Sequence, residues 1–223
     1  MMNDLLSKTN NNENNKNNKN NKNNKNNKNT KRKFVGPRTF LGVSQFATAI
    51  GLSITFSTPE LLKKQLEEGY YQEETPAMTF GLQNENIAKK YYEHIKGVKV
   101  LLTNYKIFDS CHRLKGGCDG LIGKDGGLEI KCHFNYTYSL QKIPDYYLIQ
   151  IAGYIYLYDR EWFDFMSCCF GPTGKISDYN IIRVHRADIE TQWNNEWFPK
   201  LVEFVNSVKW HDMPKVPILD KSS

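Results

Sequence analysis

In some stretches of this chain apolar positions recur every three or four residues, and in others they alternate with polar ones. The two periods predict helices and strands respectively. "VSQFATAIG" reads as a short helix stopped by Gly51, and "STPELLKKQLEEG" as a second, with Thr58 as N-cap, Pro59 in the first turn and Gly69 as the stop. A third helix covers about 79–96, with Ile87, Ala88, Tyr91, Tyr92 and Ile95 on one face and Gly97 closing it. Three strands follow at 98–103, 118–123 and 127–132, the last two joined by "KDGG" read as a hairpin turn. A tyrosine-rich helix at 145–158 after Pro144, strands at 162–170 and 179–186, and an amphipathic helix at 187–208 complete the order α-α-α-β-β-β-α-β-β-α. That alternation predicts an α/β (α+β) fold, a central mixed β-sheet flanked by helices.

Residues 10–29 break both periods. They are Asn-Asn-Lys triplets, with Glu13 in place of one lysine, and cannot bury apolar surface to offset chain entropy. Residues 1–33 are therefore expected to be a disordered tail, with no specific role, a DNA tether or a nuclear-import signal as its readings. The tail also changes the meaning of the net charge of +6: residues 1–33 carry +7, so the remainder sums to −1. The folded part does not advertise nucleic-acid binding by bulk charge, and any such contact needs a local patch, a metal ion or the tail. No run of about 18 apolar residues predicts a membrane span, and "MMNDLLSKTN" offers no secretory signal. The five cysteines form no C-x-x-C pair, which disfavours zinc and suits a reduced, intracellular protein.

The stretch "GCDGLIGKDGGLEIKC" carries the candidate chemistry. On a strand, Leu128, Ile130 and Cys132 face one way and Glu129 and Lys131 the other, so a carboxylate and an ammonium stand side by side. Asp119 is delivered from the neighbouring strand. An exposed sheet face with ion pairs is one reading. The other is a hard-cation site, in which Asp119, Glu129 and the Ile130 carbonyl offer the oxygen ligands Mg²⁺ prefers and Lys131 orients or deprotonates an attacking water.

These residues resemble the PD-(D/E)XK nucleases, in the branch of phage lambda exonuclease and the YqaJ-type viral recombinases. "CDGLIGKDGGLEIKC" is similar to that branch's S-P-D-G-L…G-L-E-L-K-C signature. "FGLQNENIAKKYYE" resembles its upstream G-x-x-x-E helix, "DYYLIQIAGYIYLY" the helix after its core, and "LGVSQFATAIGLSITFSTPELL" its N-terminal helical motif that contacts the DNA end. The resemblance implies a restriction-endonuclease-like core over about 79–170 within a nuclease domain at 34–223. It assigns Glu85, Asp119, Glu129 and Ile130 to metal and Lys131, with Glu129 and Asp119, to catalysis; Gln150 matches the glutamine of the following helix and is read as a catalytic residue that holds Lys131 or the water, with core packing as the alternative. It implies Mg²⁺ as cofactor, with Mn²⁺ able to substitute, as two ions roughly 4 Å apart that clamp the attacking and leaving oxygens.

The family's 5′-phosphate pocket uses an arginine next to "LG". Here Phe40 holds that position, Arg38 is the nearest arginine, and Ser44 matches the pocket's serine with a small register shift. Arg38 and Ser44 are therefore the DNA-binding candidates. The expected activity is a metal-dependent deoxyribonuclease, an exonuclease acting from duplex ends in viral-type recombination or replication. The expected partners are DNA, with room for a single-strand annealing protein and a ring-shaped homo-oligomer, and the place is host cytoplasm, nucleus or virion. The departures in the end pocket keep a structure-specific or restriction-like endonuclease open, and a degenerate fold serving as a DNA-binding subunit is the non-enzymatic alternative.

Overall fold

The computed structural model describes residues 32–52, 57–134 and 137–211; the Asn/Lys tract lies outside them. In chain order the first elements are β1 (Arg32–Val35), β2 (Leu41–Gly42), a 3-10 turn (Val43–Gln45), α1 (Phe46–Ala49), α2 (Pro59–Glu68), β3 (Tyr70–Glu73) and α3 (Pro76–Lys96). The long helices start and stop as their sequences dictate. Thr58 Oγ1 accepts from Leu61 N and Thr75 Oγ1 from Met78 N, proline occupies the first turn of each, and Gly97 ends α3 in the left-handed region at φ +64°.

The core sheet contains β4 (Val100–Leu101), then, past β5 (Lys106–Phe108) and β6 (Cys111–Gly116), β7 (Gly120–Ile122) and β8 (Gly126–His133). Helix α4 (Asp145–Tyr158) crosses to β9 (Trp162–Phe170), and β10 (Ile176–His185) returns beside it. Spatial order is β10-β9-β8-β7-β4, with β8 and β9 parallel and every other pair antiparallel, so the sheet is mixed as expected. α5 (Arg186–Gln192), a π turn (Trp193–Trp197) and α6 (Phe198–Ser207) replace the single C-terminal helix read at 187–208. The extra residue of the wider turn accompanies burial of both Trp193 and Trp197.

Strand alternation divides the core in two. Leu128, Ile130, Met166 and Cys168 point to one face and pack on Ala88 and Tyr92 of α3. Phe163 and Phe165 point to the other and pack with Ile149, Ile151 and Ile155 of α4. Each such side chain, fully buried, contributes about 1.5–3 kcal/mol. α4 is buried almost all round, which explains why so apolar a helix lacks a polar stripe.

The α3 face also holds a charge. Asp164 of β9, 1% exposed, accepts from Tyr92 Oη at 2.6 Å and from Arg183 Nε and Nη2 at 2.7 and 3.0 Å, while the Arg183 guanidinium stacks 3.5 Å over the Trp162 ring. Two sheet strands and α3 are thereby tied at one buried point.

Three expectations need correction. The hairpin turn is Gly123-Lys124-Asp125, with Gly123 at φ +56°, and "GG" belongs to β8. A Cβ on Gly127 would lie 2.1 Å from Phe163 Cζ, so the glycines answer a close ring approach and not a turn. β5 and β6 were unforeseen; with β2 they make a separate three-stranded sheet. Also unforeseen is the β1–β3 ribbon, which begins at Arg32, two residues before order was expected to start. Among the described residues no helix is long and apolar enough to cross a membrane.

Candidate active site

The cleft arises because β8 outruns its neighbour. β7 pairs with β8 only as far as Gly120 opposite Leu128, whereas β9 accompanies β8 to His133. Residues 129–133 therefore have no strand on the β7 side, and a notch opens there. Asp119, immediately before β7, reaches across it: its Oδ2 accepts the Ile130 N–H at 2.6 Å. A strand residue's N–H and C=O project to the same side, so the Ile130 carbonyl faces the notch as well. α3 closes one flank and α4 the other, giving a cleft of about 750 Å³ lined by Glu85, Asp119, Ile130, Lys131, Cys132 and Tyr147 among others.

Glu129 is the buried centre of the arrangement, 3% exposed. Its Oε1 accepts from Lys131 Nζ at 2.6 Å and from Gln150 Nε2 at 2.7 Å, and Gln150 also donates to Tyr154 Oη at 3.1 Å. Gln150 thus holds the glutamate, not the lysine. Its other oxygen, Oε2, is buried without a hydrogen-bond partner, the kind of acceptor for which a ligand outside the protein is the usual explanation. Lys131 Nζ also stands 5.1 Å over the Tyr147 ring. Glu85, on the α3 flank, pairs with Lys89 at 3.8 Å. Among the described residues no three His, Cys, Asp or Glu groups converge tightly enough to hold an ion by themselves. A hard dication here would rest on Asp119, Glu129 and the Ile130 carbonyl, with water and phosphate oxygens completing it, as Mg²⁺ commonly does.

The electrostatics fit such a charge. Burial, then the nearby charges of Glu129 and Glu85, push the Asp119 carboxyl well above its ordinary range. Burial also raises Glu129, against the pull of Lys131. Burial works against the Lys131 ammonium, but the carboxylates of Glu129 and Asp119 outweigh it and hold its pKa above the ordinary value. Lys131 is therefore firmly cationic at neutral pH, and two carboxylates press against each other with one cation between them.

A stability consequence follows with a definite sign. Raised carboxyl pKa values mean that the metal-free fold is favoured at acid pH and loses stability as pH rises through those values. Asp119→Asn keeps an oxygen for the Ile130 N–H and removes a charge. In chelator at pH 8 it is expected to melt above the wild type, by about 2–4 °C per kcal/mol relieved, with the gap closing toward pH 4. A variant that melts lower by the same amount at every pH would sink this account.

A second cavity of about 530 Å³ is lined in part by Gly116, Gly117 and Tyr154, the last being the tyrosine whose hydroxyl accepts from Gln150. It collects both DNA-binding candidates, Arg38 and Ser44, with Gln45, Gln72 and Lys115, and among the described residues no acidic one lines it. Lys115 was missed. It comes from the unforeseen β6, where Arg113 and Lys115 flank buried Leu114, and that alternation of charge about an apolar residue was the available signal. Its ammonium lies 4.8 Å from the Phe40 ring and 5.4 Å from the Tyr105 ring, which leaves it oriented but without a carboxylate partner in this cavity. His133, the last residue of β8, sits 2.8 Å from Ser167 Oγ.

Against known proteins, a family model described as the YqaJ-like viral recombinase domain matches residues 28–161. No curated protein sequence matches. Among solved structures, the alkaline exonuclease of Laribacter hongkongensis superposes with a TM-score of 0.61 at 20% identity, over 75% of this chain and 87% of that one. The same enzyme in complex with dAMP gives 0.58 at 18% identity, over 74% and 88%. A phage-related exonuclease from Haemophilus somnus gives 0.53 at 16% identity, over 78% and 92%. At such identities the superpositions establish a shared fold.

Proposed function

This chain belongs to the YqaJ-like viral recombinase domain family, and on that membership and the geometry of the cleft we propose that it is a metal-dependent DNA exonuclease working from duplex ends. The observation that carries the reading is the Asp119–Glu129–Lys131 cluster set in the notch beside β8, with one buried glutamate oxygen left without a partner. The exonuclease neighbours of the same fold support it.

Asp119, the free Oε2 of Glu129 and the Ile130 carbonyl would hold a divalent ion, with Glu85 at the margin for a second. When bound, such ions supply Lewis acidity to a phosphodiester and acidify a bound water. Gln150 fixes Glu129 by its amide, so the free oxygen is aimed before any ligand arrives. Lys131 stays protonated, which suits it to stabilising negative charge on a phosphate and to orienting water, and makes it a poor proton acceptor. Strand alternation sets Glu129 and Lys131 toward one phosphate, while Asp119 reaches the same notch from the neighbouring strand.

The second cavity gives the end preference. Arg38 and Lys115, unopposed by acid, suit a terminal phosphate, and Ser44 and Gln45 add hydrogen-bonding groups. Removing Lys115 or Arg38 as alanine is expected to lower kcat/KM on phosphorylated duplex ends about tenfold, the effect of one charge-assisted contact. Ends bearing a hydroxyl should change little. Equal losses on both ends would argue against the cavity as a phosphate seat.

The deciding experiment compares end-labelled linear duplex with covalently closed circular DNA, in Mg²⁺ and in EDTA. Mg²⁺-dependent loss of the linear form alone is expected. Cutting of the circle would establish an endonuclease instead, and a folded protein that cuts neither would leave a DNA-binding subunit.

A further inference from the structure

On the α3 face of the sheet, at the rim of the cleft, two thiols lie together that the reading above does not use. Cys132 and Cys168 are in register on the parallel strands β8 and β9, and their sulfurs are 3.7 Å apart. Cys132 is half-buried and lines the cleft one residue beyond Lys131, while Cys168 is fully buried behind it. Cys169 points to the opposite face, because successive strand residues do. Cys118 lies near Thr103 and Cys111 on β6, and all five cysteines are free thiols. Only one pair among the described residues is therefore placed for a bond.

The spacing permits it. Neighbouring strands lie about 4.7–4.9 Å apart, inside the roughly 4.4–6.8 Å separation of Cα atoms that disulfides span. Bringing the sulfurs to a bonding distance of about 2.05 Å asks for rotation about the side-chain bonds and a small strand adjustment. Access is one-sided: a small oxidant reaches Cys132 from the cleft, and Cys168 is placed to resolve the product.

We propose that Cys132 and Cys168 form an oxidative modification site, converted to a disulfide by a hydroperoxide. The Cys132 sulfur attacks the peroxide, an S–O bond forms, the O–O bond breaks, and the leaving oxygen takes the thiol proton and its own hydrogen away as water. The Cys168 sulfur then attacks the Cys132 sulfenic acid, forming S–S and expelling a second water. Two thiols are oxidised by two electrons and one hydrogen peroxide becomes two waters. The bond draws the Cys132 side chain out of the cleft wall and ties β8 to β9 beside Lys131, so phosphodiester cleavage slows. This last consequence rests on the proposed function; the cross-link does not.

The test treats the full-length protein with hydrogen peroxide and follows it by mass and by free thiols. Expected are a loss of about 2 Da, disappearance of two of the five thiols, and a joined peptide pair containing residues 132 and 168 that dithiothreitol separates. Cys168→Ser should instead stop with oxygen added at Cys132. DNA cleavage should fall severalfold on oxidation and return with dithiothreitol. Cys132 oxygenated but unjoined in the wild type, or a cross-link between other cysteines, overturns the site. A complete 132–168 cross-link with unchanged cleavage overturns its control of the cleft. A reduced protein that cuts no DNA counts against the exonuclease reading, and the mass measurement still decides the cross-link.

Discussion

Lys131→Met is expected to cut the rate on linear duplex by at least about 10²–10³-fold, the range found when one preorganised electrostatic group is removed from an active site. The loss should fall on kcat more than on KM, because the cluster meets charge that develops at the reacting phosphate while the second cavity and the backbone hold the DNA. The substitution keeps an unbranched side chain of similar length and removes both the ammonium over the Tyr147 ring and its 2.6 Å ion pair to Glu129. Glu129 then keeps only Gln150 on that oxygen, and its carboxyl should be still harder to ionise. Two things should accompany the lost rate: a fold intact by circular dichroism, and a pH–rate profile that no amount of base restores. Lys131→Arg is expected to fail as well, since a planar fork cannot occupy the narrow seat of an ammonium held between one carboxylate oxygen and a ring. Activity within threefold of wild type for the methionine variant would remove Lys131 from the mechanism.

The second large effect is on stability. Arg183→Met leaves Asp164, 1% exposed, with the Tyr92 hydroxyl as its one side-chain partner among the described residues. Breaking a buried pair from one side costs about 3–5 kcal/mol because the remaining charge is stranded. That is a large share of the roughly 5–15 kcal/mol that holds a domain folded. The guanidinium itself is 42% exposed on its side chain, so its own hydration changes little and the carboxylate accounts for most of the cost. Asp164→Asn added to Arg183→Met should recover much of the loss, since the stranded charge is gone. Urea unfolding of the two single variants and the double variant measures the coupling. Strictly additive losses would show that the pair is not a unit.

What the sequence disclosed and what it hid follow from where each element gets its stability. Helix α4 and strand β9 were legible to the residue because Pro144 fixes one boundary and both segments are predominantly apolar and mostly buried in the final fold. The ribbon and the small sheet were not legible. "RKFV" and "CHRLKG" lack a clear apolar alternation, and their pairing depends on partners far away in sequence, Tyr70–Glu73 for the first and Leu41–Gly42, beside the neighbouring Lys106–Phe108, for the second. Lys115 was lost with them. At the cleft, alternation alone put Glu129 and Lys131 together. Glu85 was reached only through resemblance, since a glutamate on a half-exposed helix face is ordinary. Neither the stranded Oε2 nor the Gln150–Glu129 bond has any signature in one dimension, because both depend on how far one strand extends past the next.

Strand β8 lies third of five in the sheet, and this has a consequence for how the cleft moves. Amides on such a strand exchange with solvent mainly when the whole domain opens, whereas the first turns of α3, with Met78 and Leu82 exposed, can fray alone. Glu129 and Lys131 stand on that strand and are paired on the β9 side, while Glu85 lies in the third turn of α3, between those exposed first turns and the core residues Ala88 and Tyr92. The two flanks of the cleft are therefore expected to keep different clocks: the sheet wall opens with the fold, whereas the start of α3, which brings Thr75 and Met78 to the cleft, can loosen and return within its lifetime.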